Sequence, residues 1–263
     1  MCLLIVASRL HPDLPLIVGA NRDEWLERPA SPMEVLRRRN PRILGGRDLL
    51  AGGTWMAVNR RGVVAALTNR PTAGGRDMAK RSRGELPLLL AAYGSAAEGA
   101  AALVRDIQPA EFNPCWILVG DRHSLFYLEL SAGLPLEAKP LEPGLRVLEN
   151  RPLPAPSPKV DWVRSQLPDI GHLAAERVVP ELERVLRSNQ VPPGALEAVA
   201  ADGPPGRPLQ TFAPCVHAGP YGSRSSMMVL VPRASRARPD VRFTDGAPCV
   251  SGFQEATSRW SGG

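Results

Sequence analysis

Segments with strand character and segments with helix character fall in separate blocks along this chain, and that order constrains its fold more than any single motif. Residues 3–8 and 14–20 are short apolar runs separated by Arg9-Leu10-His11-Pro12-Asp13, whose turn formers suit a hairpin. Residues 55–59 and 63–69 flank Arg60-Arg61-Gly62 and form a second hairpin, with β-branched residues prominent in its second arm. Between the hairpins a basic, proline-bearing stretch of about two dozen residues reads as a loop, long enough to serve as the wall or lid of a site. Beyond Asn69 the pattern turns helical. Ser82 with Glu85 has capping-box spacing and predicts a helix through residues 88–92, and the alanine-rich residues 96–107 predict its antiparallel successor. Strands return at 115–120 and 125–130, joined by Asp121-Arg122-His123-Ser124. Helical spacing resumes at 160–167, 178–186 and 196–200, and strands near 212–216 and 227–231 close the pattern. Strand and helix blocks that do not alternate one by one predict an α+β fold with antiparallel sheets rather than a doubly wound parallel one. The proline-rich residues 151–159 and 203–208 read as surface loops within one domain spanning 1–263. Gly45-Gly46 and Gly52-Gly53 lack the spacing of a phosphate-binding loop.

A chain of 263 residues can bury one large core, and 44% hydrophobic with 22% charged residues fits a globular protein. No apolar run approaches the roughly 18 residues of a membrane span, and residues 3–7 are too short and too weakly flanked for a signal-peptide core, so the expected location is cytoplasmic. Cys2, Cys115, Cys215 and Cys249 show no C-x-x-C pair and no zinc spacing with histidine. Neither a disulfide framework nor a metal site is expected. The net charge of +6 does not imply a nucleic-acid partner. All but three of the 32 basic residues are scattered arginines, and the run Arg37-Arg38-Arg39 with Arg42 lacks interleaved aromatics. An anionic small ligand remains compatible with that charge.

The chemistry starts at position 2. Cys2 follows Met1, and removal of Met1 would leave one residue carrying both a thiol and a free α-amino group, a nucleophile with its own base. Helpers are then expected at the ends of neighbouring strands. Asn21-Arg22-Asp23-Glu24 follows an apolar run: Arg22 could hold the thiolate by charge and an adjacent carboxylate could orient the amine, although a solvated turn would look the same. Asn69, in Thr68-Asn69-Arg70, suits an oxyanion donor or a turn. Asn150, after residues 145–149, carries the same two readings. Arg224, within Tyr221-Gly222-Ser223-Arg224-Ser225-Ser226, could bind a substrate carboxylate or support the nucleophile. Asn21, Glu24, Trp55 and Tyr221 are the candidate substrate-binding positions.

MCLLIVA, ANRDE, GGTWMAVN, ALTNR, SRGEL and YGSRSS, in that order, resemble the NRDE, or transport and Golgi organization protein 2-like, family. The match is anchored from residue 2 to about residue 232 and so covers nearly the whole chain. The resemblance implies an N-terminal-nucleophile hydrolase fold, a four-layer αββα sandwich of two antiparallel sheets with Cys2 as nucleophile. A more distant similarity, to penicillin V acylases and bile salt hydrolases, implies catalytic roles for Cys2, Arg22, Asp23, Asn69, Asn150 and Arg224. Those acylases space their arginine and aspartate further apart, so Glu24 competes with Asp23 for the carboxylate's role. Pro156-Ser157-Pro158-Lys159 lacks the tryptophan that the NRDE pattern has there, which weakens the carry-over to Asn150.

Two functions follow. In the first, Cys2 attacks an amide or other acyl bond of a small molecule, Asn69 and Asn150 hold the oxyanion, and the acyl group passes to water or another acceptor. This chemistry needs no metal or organic cofactor. In the second, which the resemblance also implies, the cleft binds and transfers haem or another hydrophobic carboxylate without catalysis. His11, His123, His172 and His217 are then the available axial ligands, though none lies in a haem motif. Nothing in the residues selects an oligomeric state.

Overall fold

The computed structural model describes residues 3–153, 155–202 and 207–261. The elements are β1 (Leu3–Ser8), β2 (Leu16–Trp25), β3 (Ala30–Arg37), β4 (Ile43–Asp48), β5 (Met56–Asn59) and β6 (Val64–Asn69), then α1 (Glu85–Leu90) and α2 (Ala96–Asp106). There follow β7 (Cys115–Gly120), β8 (Leu125–Leu130), β9 (Ala138–Pro140) and β10 (Gly144–Leu148), with α3 (Pro158–Gln166), α4 (Ala175–Leu186) and α5 (Ala195–Asp202). The last strands are β11 (His217–Ala218), β12 (Tyr221–Val231), β13 (Asp240–Phe243) and β14 (Gln254–Glu255). One sheet has the order β10-β1-β2-β12-β13-β14, with β11 against β12, and the other is the meander β3 to β9. The strand pairs are antiparallel.

Side-chain alternation builds the layers. In β1, Leu4 and Val6 join Leu118 and Val229 in the core between the sheets, while Leu3 and Ile5 pack with Val163, Leu182 and Leu186 of α3 and α4. The second sheet repeats the arrangement, with Ala65 and Ile117 under Leu90 and Leu103 of α1 and α2. Strands covered on both faces read as unbroken apolar runs. The result is the α+β αββα sandwich, whose helix layers flank two face-to-face antiparallel sheets.

Several elements differ from the sequence reading. The stretch between the hairpins is no loop: it forms β3 and β4, and its charged side chains suit the edge position that β3 occupies. Helix α1 starts at Glu85 with no side-chain cap, because Ser82 Oγ accepts from the Gly84 N–H instead of closing a capping box. Residues 212–216 are not a strand; the short 3-10 turn Leu209–Phe212 leads through Cys215 to the two-residue β11. Residues 151–159 are no simple surface loop either, since Ser157 caps α3 through the Val160 N–H and Lys159 is fully buried. Of the second proline-rich stretch, residues 203–206 lie outside the described residues. Among the described residues, no helix is long and apolar enough to cross a membrane.

Candidate active site

The tetrad Asn21-Arg22-Asp23-Glu24 is not a turn after a strand. It lies inside β2, because β12 pairs with β2 along its whole length, from Val231↔Leu16 to Tyr221↔Trp25. Buried strand period then sends successive residues to opposite sides. Asn21 faces the helix layer, where its amide donates to the carbonyls of Leu186 and Pro214, both at 2.9 Å. Arg22 faces the other sheet. Its guanidinium carbon lies 4.4 Å from the Trp55 ring centroid and its Nη2 is 3.3 Å from Asp48 Oδ2. Glu24 Oε2, on the same side, is 3.8 Å from Arg22 Nη2 and 3.7 Å from Arg28 Nε, and Arg28 Nε closes on Asp48 at 2.7 Å.

These side chains line a cleft of about 90 Å³ that also takes in Asp23, Asn69, Arg76 and Arg83. Two close approaches shape it. A Cβ on Gly46 would sit 2.1 Å from the Trp55 ring, so only glycine lets the indole lie flat under Arg22. A Cβ on Gly53 would sit 2.5 Å from the Gly84 backbone, where the Thr54 N–H bonds to the Gly84 carbonyl at 2.9 Å. Asp48 anchors the network as a fixed anion. Burial by itself would raise its pKa, but hydrogen bonds from Arg28 and the Ala51 N–H, with the charges of Arg28 and Arg22, hold it below the ordinary carboxylate value.

Asp23 meets the reverse conditions. It is 4% exposed, and burial pushes its pKa above the usual carboxylate value. The charge of Lys159 and a 2.6 Å hydrogen bond from Ser223 Oγ oppose that rise, and the charge of Glu149 adds to it. Tyr221 Oη donates to the Asp23 carbonyl at 3.0 Å, which ties this strand end to β12. Lys159 lies in the first turn of α3, where the helix dipole disfavours a cation, so the buried carboxyls account for its placement. Glu149, 2% exposed, directly follows β10, whose end is bound to the second sheet: Thr68 Oγ1 donates to the Glu149 carbonyl at 2.9 Å. Asn150 Nδ2 donates to the Asn69 carbonyl at the same junction.

Arg224 is the extra residue of a β-bulge, since the register steps from Ser223↔Asp23 to Ser225↔Arg22. Bulges re-aim side chains beside sites. Here the guanidinium turns to the Arg28 carbonyl at 3.2 Å, and Arg224 and Tyr221 line a neighbouring cleft rather than the first one. Cys2 lies outside the described residues; Leu3, the next residue in sequence, pairs with Asn21.

The family model for Transport and Golgi organisation 2 matches residues 1–240. The chain belongs to this family. It is 30% identical over 243 residues to the Transport and Golgi organization protein 2 homolog of Bos taurus, covering 82% of each chain. With the Mus musculus homolog it shares 28% over 262 residues, covering 93% of this chain and 89% of that one. Among solved structures, the Caenorhabditis elegans N-acylethanolamine-hydrolyzing acid amidase ortholog superposes with a TM-score of 0.55 at 13% identity, over 90% of this chain and 98% of that one. That likeness shows the N-terminal-nucleophile hydrolase fold.

In this member of the Transport and Golgi organisation 2 family, none of the four histidines lines the first cleft. His11 is buried, with Nδ1 accepting from the N–H groups of Asp13 and Leu14 and Nε2 bonded to the Leu173 carbonyl at 3.0 Å. Both ring nitrogens are therefore occupied. His172 is exposed beside Asp169 at 2.8 Å, and His123 is an exposed turn residue. Arg28, Asp48, Arg76, Arg83, Glu149, Lys159 and Ser223 were not singled out from sequence. Ser223 stood inside the quoted YGSRSS motif, and a lysine within a proline-rich stretch gave no cue of burial.

Proposed function

We propose that this chain is an N-terminal cysteine hydrolase that cleaves an amide or other acyl bond of a small molecule carrying an anionic group. The observation that carries the reading is Asp23. It is a buried carboxyl with a raised pKa, fixed by Ser223, on the strand that pairs with the one Cys2 immediately precedes. In N-terminal-nucleophile chemistry such a group would orient the α-amine. With Met1 removed, the Cys2 thiol gives its proton to that amine and the sulfur adds to the substrate carbonyl carbon. The Asn69 amide donates to the oxyanion, and Asn150, bonded to the Asn69 carbonyl, acts as its positioning residue. Collapse of the tetrahedral adduct breaks the acyl bond, the leaving amine takes the proton, and water then hydrolyses the thioester to a free acid. Arg22 offsets the thiolate's charge, and Arg28, Arg76 and Arg83 supply the positive wall that suits an anionic substrate.

The arginines of the cleft, beside Trp55 and Leu67, also suit simple carriage of a hydrophobic carboxylate. For haem the placement of the histidines gives no support in this cleft. The test is intact mass after incubation with N-acyl amides, thioesters and lactones. A chain lacking Met1 that gains one acyl group, with the adduct absent and turnover lost in Cys2→Ala, is the expected result. Unmodified protein across the panel, with tight fatty-carboxylate binding equal in wild type and Cys2→Ala, would favour carriage.

A further inference from the structure

Cys215 and His217, two residues apart, meet Cys249, 32 residues beyond His217, beside the cleft that holds Arg224. Cys215 is fully buried on the turn before β11, His217 is exposed on β11, and Cys249 is half-buried on the loop after β13. His217 Nε2 lies 2.9 Å from Cys249 Sγ and 3.7 Å from Cys215 Sγ, and the three atoms all fall within 4.8 Å of one another. In a tetrahedral zinc site, with bonds of about 2.3 Å to sulfur and 2.0–2.1 Å to nitrogen, ligand atoms are separated by roughly 3.6–3.8 Å. A small opening of the His217–Cys249 contact would meet that geometry.

The surrounding backbone holds the three donors in place. The Cys215 N–H bonds to the Ser188 carbonyl at 2.8 Å, and the Cys249 loop is closed by Thr244 Oγ1 on the Gly246 carbonyl at 2.7 Å and by the Ser251 N–H on the Ala247 carbonyl at 2.9 Å. The open side faces a cleft of about 160 Å³ lined by His217, Tyr221, Ser223, Arg224 and Gly246. Arg224 Nε is buried there with no hydrogen-bond partner among the described residues, so the cleft suits an anionic or oxygen ligand. We propose that Cys215, His217 and Cys249 form a site for a thiophilic d¹⁰ cation, with zinc the best fit. Two thiols and an imidazole are soft or borderline donors that select Zn²⁺ or Cu⁺ over oxygen-seeking Mg²⁺ or Ca²⁺. Three protein ligands with a fourth position on a cleft match an open zinc site, whereas Cu⁺ would be satisfied by the three alone.

The site bears on the first cleft through one residue. Val216, between two of the ligands, exchanges hydrogen bonds with Ser223: its N–H bonds to Ser223 Oγ at 2.9 Å, and the Ser223 N–H bonds to its carbonyl at 2.9 Å. Ser223 Oγ is also the donor to Asp23 Oδ1. A cation at Cys215 and His217 would therefore staple the segment that holds the Asp23 carboxyl in place.

The test uses the purified full chain under reductant. Metal content is measured after exposure to Zn²⁺ or Cu⁺ in separate arms, and Co²⁺ is titrated as a spectroscopic probe. The expected result is one Zn²⁺ per chain, a thiolate-to-cobalt charge-transfer band, and a melting temperature that rises with zinc. Cys249→Ser and His217→Gln change accessible positions and should melt like the wild type in chelator. Each should weaken zinc binding by at least the ~100-fold that loss of an outer-shell contact can reach. Cys2→Ala should bind as the wild type does. One copper and no retained zinc would replace zinc by Cu⁺ as the occupant and overturn the zinc assignment. No stoichiometric metal in either arm, a cobalt titration of unchanged affinity and band intensity in Cys249→Ser, a band that vanishes in Cys2→Ala, or a Cys215–Cys249 disulfide that persists under reductant would overturn the site itself.

Discussion

Arg22 and Asp23 are neighbours on one strand, yet the two faces of β2 give them opposite surroundings. On the face toward the second sheet, Arg22, Glu24, Arg28 and Asp48 form an alternating charge network open to a cleft, and Asp48 is held ionised. Asp23 borders the same cleft but is 4% exposed, with Lys159 and Glu149 in its field, and burial raises its pKa above the usual carboxylate value. A carboxylate's role is therefore set by the face it occupies. The two carboxyls are thus shifted in opposite directions, Asp48 downward by its arginines and Asp23 upward by burial. This separation bears on the choice between Asp23 and Glu24: Glu24 is committed to two arginines, which leaves Asp23 as the carboxyl the proposed function assigns to the α-amine.

The largest expected effect comes from breaking the buried cluster around Asp23. Lys159→Met should cost about 3–5 kcal/mol in urea unfolding, because removing one member of a buried charged group strands the others. Adding Glu149→Gln should recover part of that loss. A cost within the ~0.5 kcal/mol of an ordinary surface change would show that the cluster is solvated and would erase the contrast between the faces.

Asp48→Asn should have a smaller effect, about 1.5–3 kcal/mol from hydrogen bonds to two guanidinium groups. The pH dependence separates the faces by sign. Asp48 has a lowered folded pKa, so its stabilisation is present above the unfolded value of roughly 3.9 and is lost as pH falls through the folded one. Asp48→Asn should flatten the acid side of the stability curve. Asp23 has a raised folded pKa, so its contribution is full below roughly 3.9 and is lost as pH rises through the folded value. Asp23→Asn should therefore gain stability relative to wild type on the higher-pH side. Thermal melts across pH check both, and curves that flatten on the same side would contradict the assignment.

The smallest shift is expected at Cys2. If the Arg22 guanidinium favours the thiolate, the pH profile of Cys2 alkylation should move upward in Arg22→Ala and by less in Trp55→Leu, which loosens the stacked guanidinium at a cost of ~0.5–2 kcal/mol. Identical profiles in all three proteins would confine Arg22 to a structural role.

Much of the framework was legible locally. Residues 115–120 and 125–130 coincide with β7 and β8 because both strands are short, apolar and bounded by a turn whose Asp121 carboxylate accepts from the N–H groups of His123 and Ser124. Helix α2 was equally clear, with alanine-rich propensity and Ser95 accepting from the Glu98 N–H at its start. The charged β3 and β4 read as a loop because edge strands tolerate polar residues, and the tetrad of β2 read as a turn because its partner lies about two hundred residues away at β12.

The chain's own order of residues determined the strand and helix blocks, the alternation that fills three core layers, and the motifs that place it in its family. These depend on periodicity and local propensity, which a sequence carries directly. Tertiary structure alone decided that Asp23 and Glu24 part to opposite faces, that Lys159 is buried within the field of Asp23, and that Arg224 turns at a bulge toward Arg28. It also brought Cys215, His217 and Cys249 within ligand distance, although their spacing along the chain matches no metal pattern. The reason is physical: a side chain's facing and its long-range partners follow from strand register and layer packing, which are fixed only when distant segments close on one another.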